Sequence, residues 1–245
     1  MNHGSGRMGW LAACAAALMA GSALADGGAI SGKVTFAGGK AAAPKRKLLK
    51  MKADPYCNKF YKDKGKKGAG TENVIVNKDG TLRNVIVYVK KGLEGKSFEV
   101  PATPVEINQD GCRYKPHVLA MMKGQKLTVK NSDDTLHNIH GLCKKNNEFN
   151  FGQPKKGMTK TLDFSQLEAF KVKCDVHPWM GAFIMVLDHP KHAATGKDGL
   201  FSIDGLPPGE YVVAAWHEEL GELEQTVSIV EGGTKEIEFV FEPKK

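Results

Sequence analysis

The sequence predicts an all-β protein built from packed β-sheets. Two observations carry that prediction. Short stretches rich in β-branched and aromatic residues recur along most of the chain, separated by turns containing Gly, Pro and Asp-Gly. No long amphipathic helical pattern interrupts them. Regular short strands with such turns are the pattern of a β-sandwich rather than of alternating strands and helices.

The first strand is expected at Ala29–Phe36 (AISGKVTF), closed by Gly38-Gly39. Asn73–Val76 and Leu82–Val89 (LRNVIVYV) flank a Lys78-Asp79-Gly80 turn, and Gly92 ends the second of them. Val105–Ile107, Lys126–Lys130 (KLTVK), Thr159–Phe164 (TKTLDF), Phe170–Cys174 and Ala182–Leu187 (AFIMVL) follow. The last group is Leu200–Ile203, Tyr211–Trp216, Gln225–Val230 and Lys235–Phe241. A short helix is expected near Ser165–Ala169. From about 40 to 72 the chain is rich in Lys and Gly with weak periodicity, which reads as a long surface excursion pinned at Cys57.

Residues 1–25 follow another pattern. Arg7 precedes an apolar, Ala-rich run from Trp10 to about Ala20, and Ser22-Ala23-Leu24-Ala25 stands before Asp26. This is the layout of a secretory signal peptide cleaved near Ala25. The run is too short to span a bilayer comfortably, and no later segment is apolar enough to do so. The expectation is therefore a periplasmic or otherwise secreted protein with no transmembrane segment. Leu11-Ala12-Ala13-Cys14 has lipobox-like composition but almost no apolar run before it.

The formal charge of +8 is concentrated in KRKLLKMK (45–52) and KDKGKK (62–67). A solvated Lys-rich surface accounts for this. The functional counterpart is a docking face for an acidic redox partner or an anionic surface. An exported chain without a nucleic-acid motif is not expected to bind nucleic acid. Of the five cysteines, Cys14 falls in the expected signal peptide. The absence of CxxCH and CxxC removes covalent haem, thioredoxin-like and zinc-ribbon readings. Cys57 and Cys112 are candidates for a disulfide in an oxidising compartment, with Cys57–Cys143 and Cys112–Cys143 also open.

The strongest chemical signal is Cys174-Asp175-Val176-His177-Pro178-Trp179-Met180. It holds a thiolate, an imidazole and a thioether in one short loop after a strand. A second imidazole, His137, lies upstream in Leu136-His137-Asn138-Ile139-His140. Two His and one Cys with a weak axial Met are the donors of a type 1 (blue) copper centre. Soft sulfur donors suit Cu(I), and imidazoles suit both redox states. Zinc fits less well, because Met is a poor zinc ligand. A binuclear copper site would need a second Cys in the loop. A nucleophilic Cys174 would leave His137 and Met180 unexplained. His140 is the rival of His137 for the upstream position.

Residues 105–188 resemble a cupredoxin, nearest to the amicyanin and plastocyanin group. The resemblance rests on PHVLAMMKGQKLTVKNSD, KNSDDTLHNIH and EAFKVKCDVHPWMGAFIMV, with the short C-x2-H-x2-M spacing. It implies a Greek-key β-sandwich holding one type 1 copper ion. His137, Cys174 and His177 would be the equatorial ligands and Met180 the axial one. Asn138 would tie the two ligand loops together, and His177 would carry its ring edge to the surface as the electron port, rimmed by Pro178 and Trp179. Cys143 departs from the family pattern.

The flanks resemble a carboxypeptidase regulatory-like (transthyretin-like) sandwich. AISGKVTF looks like its opening strand, GKDGLFSIDGLPPGEYVVAAWHE its middle and EGGTKEIEFVFE its last turn and strand. This implies a cupredoxin (103–188) inserted in, or packed between, two parts (26–102 and 189–245) of a second small sandwich. Together these readings predict an electron carrier rather than an enzyme. Its expected partners are a c-type cytochrome or a periplasmic dehydrogenase or oxidase. The alternative is copper storage or delivery, using His140, Cys143 and Met121-Met122 as extra contacts.

Overall fold

The computed structural model describes Met1 and residues 27–244. The expected signal peptide and its cleavage near Ala25 lie outside the described residues, apart from Met1. Among the described residues no helix is long and apolar enough to cross a membrane.

The chain is all-β. It opens with β1 (Gly28–Phe36), a single helical turn α1 (Gly39–Ala42), β2 (Leu48–Leu49), α2 (Pro55–Asp63), β3 (Ala69–Gly70) and β4 (Ile86–Lys91). Then come β5 (Val105–Gln109), β6 (Tyr114–Lys115), β7 (Val118–Met122), β8 (Lys126–Asn131), β9 (His137–Gly141), β10 (Phe149–Gln153), β11 (Thr159–Asp163), β12 (Glu168–Lys173) and β13 (Gly181–Leu187). The chain closes with β14 (His192–Ala194), β15 (Leu200–Leu206), β16 (Gly209–His217), β17 (Gly221–Ile229) and β18 (Thr234–Phe241).

Two sandwiches result. In the first, β1 lies between β15 and β18, and this sheet faces β14-β4-β16-β17. Its core joins Ile30, Val34 and Phe36 of β1 to Val87 and Val89 of β4, Val213 of β16 and Phe239 of β18. The second lies between β4 and β14 in the chain. Its sheets are β10-β9-β12-β13-β7 and β11-β8-β5-β6, packed over Ile107, Leu127, Val129, Ile139, Phe170, Val172 and Ile184.

The two sandwiches meet through the outer faces of their inner sheets. Ile86 and Trp216 pack with Val118, Ala120, Met185 and Leu187. Alternate residues of β4 and β13 therefore face two different apolar layers. That is why VIVYV and AFIMVL read as continuous apolar runs rather than as alternating ones.

Several expectations need correction. No helix forms at Ser165–Ala169, where the chain passes directly into β12. Asn73–Val76 makes only a bridge from Val76 to Leu82. The excursion from 40 to 72 is more ordered than its composition suggests. It forms α2 and the β2–β3 pair, and their small core of Met51, Cys57, Tyr61, Ala69 and Cys112 packs against Trp179. Asp54 caps α2, its carboxylate accepting from Cys57 N at 2.8 Å, and Pro55 occupies the first turn.

Candidate metal centre

The structure brings His137, Cys174, His177 and Met180 to one buried place at the end of the inserted sandwich. None is more than 2% exposed. His137 opens β9, Cys174 directly follows β12, and the loop to β13 carries the other two. The loop is closed by its own backbone, with Met180 N donating to His177 O (2.9 Å) and Cys174 N to Met180 O (3.3 Å). His177 N also donates to the Cys174 sulfur at 3.3 Å.

The two imidazoles turn Nδ1 toward each other, 2.9 Å apart. The Cys174 sulfur is 3.8 Å from the His177 Nδ1. Both Nε2 atoms face carboxylates. His137 Nε2 lies 2.8 Å from Asp133 Oδ2, and His177 Nε2 lies 3.1 Å from Asp54 Oδ2. A carboxylate at Nε2 fixes the proton there and leaves the Nδ1 lone pair free. Two such lone pairs at this separation repel unless a proton or a cation lies between them. Nitrogen, thiolate and thioether donors together fit a copper ion.

The carboxylates are themselves well held. Gly111 and Cys112 both have positive φ (65° and 57°), which turns two successive N–H groups onto Asp133 at 2.8 and 2.7 Å. Burial pushes the Asp133 carboxyl up, but His137 and these two N–H groups outweigh it and leave it below the usual carboxylate range. Asp54 is displaced the same way: burial opposes ionisation, and Cys57 N, His177 and Thr135 overcome it. Burial also pushes the Cys174 thiol up, yet hydrogen bonds from the His177 ring and from the Asn138 and His177 backbone hold it below its usual value.

Asn138 accepts from Asp175 N at 3.0 Å, joining the two loops, while Tyr114 donates to the Asn138 carbonyl at 2.5 Å. His140 is not brought into the cluster. Three residues along a straight strand reverse the face, so His140 points away from His137. It sits between Asp175 (3.1 Å) and Glu148 (2.6 Å). Cys143 is a half-buried free thiol, raised to about 12 by burial and by Glu168 and Glu148. Met121 lies in the apolar core of the inserted sandwich.

Cys57 and Cys112 form a disulfide, with Cα atoms 5.8 Å apart. The expectation that His177 reaches the surface is overturned. Asp54 and Cys57 at the start of α2 cover its ring, and Cys57 Sγ is 4.0 Å from Nε2. Sequence reasoning missed Asp54 and Asp133. The Asp54-Pro55 start of a helix was the available signal for Asp54.

No protein-family model and no curated protein matches the chain. Among solved structures, the chain is similar to a point mutant of amicyanin in its Cu(I) form. That match has 20% identity and a TM-score of 0.32, covering 41% of this chain and 98% of the other. The purple cupredoxin from Nitrosopumilus maritimus matches at 22% identity, over 34% of this chain and 99% of that one, with a TM-score of 0.29. The Cu-containing nitrite reductase of Thermus scotoductus SA-01 matches at 19% identity over 40% of this chain, with a TM-score of 0.31. The chain spans 25% of that reductase.

Proposed function

We propose that the inserted sandwich is a cupredoxin-type module that holds one copper ion at His137, Cys174, His177 and Met180, and that the protein passes single electrons between redox proteins outside the cytoplasm. The observation carrying this reading is the pair of facing Nδ1 atoms, 2.9 Å apart beside the Cys174 sulfur, with both Nε2 atoms turned onto carboxylates.

Bound there, copper supplies a one-electron couple for which sulfur and imidazole donors suit both states. The chain's own residues keep the donors from rearranging. Asp133 and Asp54 orient the imidazoles, and Asn138 links the His137 strand to the Cys174 loop. All four donors are buried. In this reading all four positions are taken by protein donors, so the protein is a carrier with no substrate of its own. Its partners are redox proteins such as a c-type cytochrome or a periplasmic dehydrogenase or oxidase. The Lys-rich surface would meet an acidic face on the partner, with an association rate that falls as salt is added.

The test is a visible absorption spectrum after Cu(II) is added to the protein and excess removed. An intense colour that disappears in Cys174→Ala supports the reading. A colourless protein, or a colour indifferent to Cys174, overturns it.

The burial of His177 favours a second reading, copper storage or delivery, because a carrier needs an electron route to the surface. Two or more exchangeable coppers per chain would favour storage. One tightly held, reversibly cycling copper favours transfer.

A further inference from the structure

We infer that electrons enter and leave this site through Trp179, at the cleft between the two sandwiches, rather than through the ring edge of His177. This inference rests on the copper-carrier reading above.

The direct route outward from His177 is closed. His177 is 2% exposed, and its outer edge meets Asp54 and the Cys57–Cys112 disulfide. Both of those sulfur atoms belong to residues with no exposed surface. An acceptor outside the α2 cap is therefore separated from the imidazole by a full layer of protein. Electron tunnelling weakens exponentially with that distance.

Trp179 is the opening. Its indole lies against His177 with ring centroids 5.0 Å apart and planes inclined by 37°. Its Nε1 donates to the Cys112 carbonyl at 3.2 Å, which fixes the ring. A path through the disulfide thus ends at the same indole. The side chain is half-buried and lines an open cleft together with Pro178, Lys171, Lys173 and Arg113. Glu72 and Glu218 also line it. They are occupied: Arg113 pairs with Glu72, and His117 with Glu218. Lys173 pairs with Asp175 at 2.9 Å, and among the described residues the exposed Lys171 on the rim has no acidic partner.

The step is a simple exchange. The reduced site loses one electron, a one-electron outer-sphere acceptor gains it, and no bond or proton changes place. Trp179 bridges the two and ends unchanged.

The experiment follows oxidation of the copper-loaded, reduced protein by hexacyanoferrate(III) at low salt. Trp179→Leu should slow it by about tenfold or more with the colour and reduction potential retained, and Trp179→Phe should restore most of the rate. Lys171→Glu, beside the cleft, should slow this anionic acceptor several-fold. Lys52→Glu, on the outside of the cap, should not. In the metal-free protein, iodide should quench the fluorescence that Trp179→Leu removes, less so in Lys171→Glu and unchanged in Lys52→Glu. Wild-type rates in a coloured Trp179→Leu protein would overturn the inference and leave the copper reading standing. If Trp179→Leu loses its colour, the two charge reversals decide. Sensitivity at Lys52 and none at Lys171 would place the exit at the cap and overturn it.

Discussion

His177 turns its Nε2 onto Asp54, 3.1 Å away across 123 positions of sequence. One carboxylate thereby caps a helix through Oδ1 and orients a candidate metal ligand through Oδ2. Folding of the cap and preparation of the site are coupled at this contact.

Asp54→Asn separates the two roles. Asn caps a helix about as well as Asp, so stability should change little. Loss of the carboxylate behind His177 should weaken copper binding by about 10–100-fold. Asp54→Ala should in addition lose about 1 kcal/mol of stability through the missing cap. Urea denaturation and a competitive copper titration measure the two effects.

Removal of the disulfide should weaken the cap. In the chain-entropy model a bridge closing 55 residues contributes about 4 kcal/mol. The Cys57→Ala/Cys112→Ala protein should show a correspondingly lower urea midpoint. It should also show faster iodide quenching of Trp179, because the cap core that packs against the indole includes both cysteines.

His140→Ala and Cys143→Ala should leave copper stoichiometry at one per chain and the colour intact. His140 faces Asp175 and Glu148, on the opposite side of β9 from His137. Metal analysis after desalting checks this, and a drop in bound copper would restore the storage reading.

Stability should fall as pH rises from neutrality toward 9. His117 loses charge stability through burial, but Glu218 and Glu72 more than restore it and raise its pKa to about 9. Arg113 shares Glu72, and the neighbouring His217, pushed down to about 4 by burial and by His117, stays neutral over this range. A folded value above the unfolded one gives stability that is complete below about 6.5 and is lost as pH rises through 9. His117→Gln should flatten that part of the profile in denaturation measured from pH 6 to 9.5. An unchanged slope would refute the assignment.

The candidate ligand set was legible because its chemistry is local. Three donors lie in one seven-position loop, and the strands on either side of it are marked by β-branched residues. The choice between His137 and His140 was not legible from composition. It follows from pleating, once β9 is known to run straight from His137 to Gly141. The strands β7, β9 and β10 went unread because VLAMM, HNIHG and FNFGQ lack a clear β-branched pattern, and they are held by their neighbours in the sheet.

The sequence by itself determined an all-β chain, a cluster of sulfur and imidazole donors after one strand, and a second set of strands at both ends. These are properties of short windows, in which residue type and alternation dictate local structure. Only the tertiary structure decided that a Lys- and Gly-rich excursion folds over His177, that Asp54 and Asp133 stand behind the two imidazoles, and that Trp179 faces the cleft. Those contacts join residues far apart in the chain, and their stability comes from a disulfide, burial and hydrogen bonds that exist only once both sandwiches have packed.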